Sequence, residues 1–109
     1  MERETEVEAY LRKKVEAAGG VCKKFIPDFA RGWPDRIVVL PGVLVWVETK
    51  RPVDGRLSPG QLVAHEDLRR LGQRVEVVWS KEQAQRLVEM LTAGCTDRHV
   101  ASAHTGSSR

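Results

Sequence analysis

The sequence predicts one α/β domain with the element order helix, three strands, helix, strand, helix. Two observations predict this class: three segments carry apolar residues at helical spacing, and four short runs have the length and apolar content of strands, the two central ones being rich in β-branched residues and bounded by Gly or Pro. A chain of 109 residues can bury one hydrophobic core but not two. We therefore expect a single domain over residues 1–93, followed by a flexible tail over residues 94–109.

The first helix is predicted over residues 3–18, where Gly19 and Gly20 end the pattern. Its apolar residues recur at helical spacing: Val7, Tyr10, Leu11, Val15 and Ala18. Glu4 and Glu8 fall on or beside this apolar face. They have two interpretations: acids favoured near the start of a helix by its dipole, or carboxylates directed into a site beyond the helix's amino end. Glu4 is the first candidate for such a site and Glu8 the second.

A strand is predicted at residues 21–26, and Lys23 and Lys24 interrupt its apolar run. We interpret these lysines as marks of an exposed face or a protected edge of the sheet. The loop that follows leads to Trp33, which either caps the core or stacks on a base. Pro34 fixes its own φ, so the residue after it enters the next strand in a defined direction.

The central prediction is a hairpin formed by strands Arg36–Leu40 and Val43–Val47, joined at Pro41-Gly42. A two- or four-residue loop symmetric about this pair places Asp35 across from Glu48, with Cβ atoms about 4.5–5.5 Å apart. A three-residue loop would shift that pairing by one position. Two facing carboxylates repel each other, but a divalent cation between them reverses the sign, since Mg²⁺ and Mn²⁺ prefer oxygen ligands.

The second hairpin strand continues to Lys50 and is apolar on both faces until Glu48. This pattern predicts a central strand covered on both sides. Lys50 points to the same face as Glu48 and would bring an ammonium group beside the cation, where it can hold a water or an anionic oxygen. The alternative is that Glu48 and Lys50 merely mark the strand's exit into solvent.

The next helix is predicted to begin after Ser58, with Pro59 in its first position and Gln61 at capping-box spacing. Gln61 either serves only in the cap or reaches the site from the first turn. His65 lies one turn further; we interpret it as a helix-surface histidine, and the alternative is a general acid–base role.

A last strand is predicted at residues 75–79 and a last helix at Lys81–Leu91, ending at Ala93-Gly94. The residues after 94 are too poor in apolar side chains to extend the core. Cys95, His99 and His104 lie in this segment without a spacing typical of metal sites.

Composition limits the remaining classes of function. A net charge of +3 with a pI near 9.1 is compatible with nucleic acid binding. Two cysteines, Cys22 and Cys95, do not form a disulfide framework. The sequence shows no signal peptide and no long apolar run, so we expect a soluble, cytoplasmic protein.

Residues 2–92 resemble the VRR-NUC (virus-type replication-repair nuclease) domain of the PD-(D/E)XK superfamily. Four motifs carry the resemblance: Glu4 in RETEVEAYL, GWPD at 32–35, ETK at 48–50 and SPGQ at 58–61. It implies a restriction-endonuclease-like core whose mixed sheet is flanked by helices. Trp33 is bulkier than the small aliphatic residue expected before the proline.

The resemblance also implies roles for individual residues. Asp35, Glu48 and the carbonyl of Thr49 would hold Mg²⁺ or Mn²⁺, Lys50 would orient the attacking water, and Glu4 and Gln61 would support the site. Stand-alone members of phage size look like homodimeric endonucleases that cut branched DNA such as four-way (Holliday) junctions. We expect four arginines near the site in sequence to contact DNA phosphates: Arg31, Arg36, Arg51 and Arg56.

Two other classes of function remain open at this stage. One is a non-catalytic module that binds DNA junctions through a degenerate nuclease fold. The other is a small structural α/β protein without affinity for metal or DNA.

Overall fold

A computed structural model of the chain describes the backbone of residues 3–26 and 31–102 and the side chains of residues 3–26 and 31–93. The element order is the predicted one: α1 (Glu4–Ala17), β1 (Val21–Lys24), β2 (Arg36–Leu40), β3 (Val43–Thr49), α2 (Pro59–Arg70), β4 (Val75–Val78) and α3 (Lys81–Ser102). The described residues contain no helix that is both long and apolar enough to cross a membrane.

The four strands form one mixed sheet in the spatial order β1-β2-β3-β4. Antiparallel pairing joins β1 to β2 and β2 to β3, whereas β3 and β4 run parallel. The hairpin register is the predicted one, with Arg36 opposite Val47 and Leu40 opposite Val43. Gly42 closes the turn at a φ of 80°, a conformation that glycine adopts without steric cost. The register brings Asp35, the residue before β2, to the same end of the sheet as Glu48.

The core lies on one face of the sheet, where α1 and α3 pack against it. Val7, Leu11 and Val15 of α1 are fully buried, and so are Val38 and Val45 at the centre of the sheet. The other buried apolar side chains of this cluster come from all four strands and α3: Cys22, Leu40, Val47, Val78, Ala84, Leu87, Val88 and Leu91. This face therefore anchors the amino end of α1 beside the start of β2.

The opposite face is covered only in part, so the expectation that β3 is buried on both sides is wrong. Leu44 is exposed and Trp46 half-buried, while Val45 and Val47 on the other face are fully buried. Three aromatic rings pack together here: Phe25, Trp33 and Trp46 have centroids 5.1–5.8 Å apart. Trp33 thus packs on the sheet face opposite the core and does not cap the core cluster. The apolar pattern of β3 did not show that α2 covers this face only near Glu48.

The start of α2 is fixed by the predicted capping box. Ser58 Oγ accepts a hydrogen bond from the Gln61 backbone N–H at 3.1 Å, and Gln61 Oε1 accepts one from the Ser58 N–H at 2.9 Å. Pro59 occupies the first turn. The second of these bonds holds the Gln61 side chain in one orientation at the amino end of the helix.

Several element ends differ from the sequence prediction. β1 ends at Lys24, with Lys23 and Lys24 both exposed on an edge strand, and β4 ends at Val78. α3 continues to Ser102, past the predicted end at Ala93-Gly94. A lone glycine within a helix costs only about 1 kcal/mol and does not end it, whereas Gly19, at a φ of 88°, ends α1. The side chains of Cys95 and His99, and all of His104, lie outside the described residues.

Ser58→Ala tests the capping box. We expect this change to lower the free energy of unfolding by about 1 kcal/mol, because the backbone N–H of Gln61 loses Ser58 Oγ as its acceptor. Urea unfolding of the wild type and the variant measures the difference, and Ser58→Asp, which keeps an acceptor, should restore most of it. Equal midpoints for the wild type and Ser58→Ala would contradict the role of this cap.

Candidate active site

Four elements converge on one open cleft of about 840 Å³ at the carboxyl end of β3. Its lining includes the side chains of Asp35, Glu48, Lys50 and Gln61, all predicted as site residues. Arg31, Trp33 and Arg56 also line it. The cleft therefore brings together residues that are up to 30 positions apart in sequence.

Asp35 lies at the entrance to β2 and is tied to β3. Its carboxylate accepts hydrogen bonds from the Thr49 backbone N–H and the Thr49 hydroxyl, both at 3.3 Å. Burial raises the pKa of Asp35, and the nearby Glu8 charge raises it further, while the bonds from Thr49 oppose this rise. Two hydrogen bonds thus fix a carboxylate that its surroundings disfavour in the charged form.

The amino end of α1 adds two more carboxylates to Asp35. One carboxylate oxygen from each of Glu4, Glu8 and Asp35 lies within 4.8 Å of the other two. Glu8 is held in place by Arg36, whose Nη2 donates to its Oε2 at 2.8 Å. The structure thus brings both candidate acids of the first helix to Asp35.

Glu48 is the most deeply buried acid of the site, with 4% of its surface exposed. Its Oε2 accepts a hydrogen bond from Gln61 Nε2 at 3.1 Å and lies 3.6 Å from Lys50 Nζ. Its Oε1 has no hydrogen-bond partner among the described residues. Burial raises the pKa of Glu48 to about 7, and the Asp35 charge adds to this effect while Lys50 opposes it.

Gln61 performs both of the roles that its position suggested. Its Oε1 completes the capping box and its Nε2 donates to Glu48. An amide carries an acceptor oxygen and a donor nitrogen on one rigid group. The cap of α2 therefore also sets the direction of the donor that faces the acid.

His65 is not on the helix surface, and the expectation that it lies there is wrong. It is fully buried, its Nε2 is 4.0 Å from Glu48 Oε1, and neither ring nitrogen has a hydrogen-bond partner among the described residues. Burial lowers the pKa of His65, and the Arg69 and Lys50 charges lower it further. One sequence signal could have found it: Gln61, His65 and Leu68 stand at i, i+4 and i+7, one face of a helix.

The four arginines predicted to contact DNA occupy different surroundings. Arg31 and Arg56 line the cleft. Arg51 is exposed and lies 3.4 Å from Asp54, also exposed. Arg36 is largely buried in its ion pair with Glu8, so its guanidinium is engaged within the protein. The sequence offered no sign of this pair, because its partners are 28 positions apart.

The donors of the cleft fit a hard divalent cation. They are the carboxylate oxygens of Asp35 and Glu48, and Glu4 and Glu8 each bring a carboxylate oxygen within 4.8 Å of one of Asp35. Burial is the main cause of the raised pKa of both cleft acids, and neighbouring carboxylates raise it further. One buried oxygen, Glu48 Oε1, has no partner among the described residues. Mg²⁺ and Mn²⁺ are bound by such oxygens, and a cation would offset the repulsion between the acids.

Comparisons with known proteins agree with the fold. No protein-family model matches the chain. "Putative nuclease p44" of Acyrthosiphon pisum secondary endosymbiont phage 1 is 40% identical over 81 residues, which cover 73% of this chain and 86% of that protein. A solved structure described as "VRR_NUC domain" superposes with a TM-score of 0.74 at 38% identity, covering 79% of this chain and 94% of that one.

Glu48→Gln tests the raised pKa of the buried acid. Because the folded-state pKa of about 7 exceeds the ordinary value of 4.5, the wild type loses stability as the pH rises between these values. Without metal, we expect the neutral glutamine to stabilise the fold by about 2–3 kcal/mol at pH 8.5 and to have little effect below pH 4.5.

Urea unfolding in EDTA across this pH range provides the measurement. Glu66→Gln, the same change at an exposed acid of α2, is the matched control and should follow the wild type. A Glu48→Gln advantage that did not grow with pH would contradict the assignment.

Proposed function

The chain belongs to the VRR-NUC family of nuclease domains, and from this premise we propose that it is an Mg²⁺- or Mn²⁺-dependent endonuclease of branched DNA. The observation that carries the proposal is the cleft itself, which Asp35 and Glu48 both line at one end of a hairpin, with Lys50 beside Glu48. The alternative of a purely DNA-binding module is less well supported, since buried acids oppose phosphate binding unless a cation neutralises them.

In this proposal, Asp35, Glu48 and the backbone carbonyl of Thr49 hold the cation, with Glu4 close to Asp35. The cation supplies positive charge for the developing charge on the phosphoryl oxygens and makes water more acidic. The hydrogen bonds from Thr49 to Asp35 and from Gln61 to Glu48 hold the two acids in position before the cation arrives. Such pre-organisation lowers the entropic cost of assembling the site.

Lys50 acts on the reacting groups. Its ammonium lies beside Glu48 and lines the cleft, where it can donate a hydrogen bond to the attacking water and attract an anionic phosphate oxygen. Hydrolysis of a phosphodiester builds negative charge on the phosphoryl group, and a fixed ammonium in a partly buried site stabilises that charge.

Arginine side chains at the rim of the cleft would hold the DNA backbone. Arg31 and Arg56 line the cleft and Arg51 follows Lys50 directly. These side chains would hold the phosphates that flank the scissile bond. Arg36 has a different role in this proposal: its ion pair with Glu8 holds the amino end of α1 against the start of β2.

A homodimer forms the second part of the proposal, because a four-way junction has paired strands and suits a twofold symmetric enzyme. The sheet face away from the core offers a surface for it. Val21, Val39 and Leu44 lie side by side on three neighbouring strands, and all three are exposed. Acting on phage or host DNA, the enzyme would work in the host cytosol.

Lys50→Ala and Asp35→Ala test the catalytic proposal. With Mn²⁺ or Mg²⁺, we expect the wild type to cut four-way junctions in preference to linear duplex. Lys50→Ala should lower the rate by about 10²–10³-fold, because one fixed group that stabilises developing charge is lost. Asp35→Ala should abolish cutting, since it removes a ligand of the cation.

Gel analysis of junction, flap and linear substrates provides the measurement. Lys13→Ala, an exposed change on α1, should cut like the wild type. Full activity in either site variant, or no cutting of any substrate by the wild type, would contradict the proposal.

Leu44→Lys tests the dimer. We expect the wild type to sediment at twice 12.2 kDa at micromolar concentration, and Leu44→Lys to sediment as a monomer because it places a charge on the apolar surface. Met90→Lys, which adds the same charge at an exposed apolar residue of α3, should remain a dimer. A monomeric wild type, with and without junction DNA, would contradict this part of the proposal.

A further inference from the structure

We propose that His65 is a positioning residue: its imidazole donates an Nε2–H hydrogen bond to Glu48 Oε1 and holds this carboxylate toward the cleft. The inference rests on the proposed function, because it concerns the acid that would bind the cation. It begins from three buried polar atoms that have no hydrogen-bond partner among the described residues: Glu48 Oε1, His65 Nδ1 and His65 Nε2.

Burying the His65 imidazole without a hydrogen-bond partner is energetically unfavourable. Its side chain is completely inaccessible, and a buried polar group without a partner costs about 1–3 kcal/mol. A leucine at this position would avoid that cost and would extend the apolar face that Leu68 begins. An imidazole here therefore weakens the fold unless it contacts another polar group.

Glu48 Oε1 is the group within reach. It lies 4.0 Å from His65 Nε2, about 1 Å longer than a hydrogen bond. A small rotation of the carboxylate closes this gap and satisfies two buried atoms at once. A neutral imidazole carries one N–H, which is the donor that a carboxylate oxygen needs.

The two donors to Glu48 come from one helix. Gln61 in the first turn of α2 donates to Oε2 at 3.1 Å, and His65, four residues on, faces Oε1. Residues four apart lie on the same side of a helix, so α2 supports both oxygens of the acid. Each carboxylate oxygen has two acceptor positions, which leaves one on each oxygen for a cation.

This arrangement makes the orientation of Glu48 depend on both side chains. With Gln61 alone, only one carboxylate oxygen is held, and the carboxylate can turn about the bond that carries it. A second donor on the other oxygen removes that freedom. Loss of a residue that hydrogen-bonds to a metal ligand lowers the affinity for the metal by about 10–100-fold.

Three variants separate positioning from packing. His65→Leu keeps an apolar side chain in the buried space and removes the donor, and His65→Met does the same if leucine fails to fold. His65→Gln keeps an N–H donor at nearly the distance of Nε2 from the backbone. Glu66→Gln, on the exposed side of the same turn, is the matched control.

The readout is Mn²⁺ affinity by calorimetry, with thermal melting in EDTA beside it. We expect His65→Leu to weaken Mn²⁺ binding by about 10–100-fold while the variant still folds and melts cooperatively in EDTA. His65→Gln should bind Mn²⁺ within about threefold of the wild-type affinity, because the glutamine keeps the hydrogen bond to Glu48. A folded His65→Leu with lower affinity and a His65→Gln with restored affinity would support positioning.

Two results would overturn the inference while leaving the proposed function intact: wild-type affinity in His65→Leu, or affinity in His65→Gln as low as in His65→Leu. Both would be seen in a protein whose wild type binds Mn²⁺ and cuts DNA. A wild type that binds no Mn²⁺ through Asp35 and Glu48 would instead remove the proposed function, and the role of His65 with it.

Discussion

The burial of one carboxylate at the end of a central strand is the constraint on which the rest of the site depends. Glu48 is 4% exposed and has a pKa raised to about 7, so the isolated fold is less stable with this group ionised. Gln61 and Lys50 compensate one of its oxygens. The other oxygen, Oε1, has no hydrogen-bond partner among the described residues. A cation bound in the cleft, as we propose, would stabilise the ionised carboxylate.

The hairpin that produces this arrangement could be predicted from sequence, because its causes are local. Side chains alternate along a strand with a period of two, and a Pro-Gly pair between two β-branched runs indicates where the chain reverses. These rules predicted the pairing of Arg36 with Val47, which brings Asp35 to the same end of the sheet as Glu48. The capping box of α2 could be predicted for the same reason, since its residues lie within four positions.

The parts that could not be predicted depend on contacts between distant segments. Arg36 was expected to contact DNA, but the fold brings Glu8 of α1 beside it. His65 was expected on the helix surface; its spacing with Gln61 and Leu68 indicates the buried face, but its approach to Glu48 follows only once α2 is placed over the end of β3. Local patterns also suggested that β3 is covered on both faces, whereas the extent of that cover depends on where the helices pack.

Gln61 shows how stability and chemistry are connected in this fold. Its two amide ends serve a helix cap and a buried acid, so a change that loosens the cap also loosens the donor that faces Glu48. A small domain has few buried positions, and using one side chain for both purposes reduces the number of polar groups that must be buried. Helix α2 is suited to position the side chains that face Glu48, because a helix places residues four apart on one face. Its capping box fixes the residue at which that face begins.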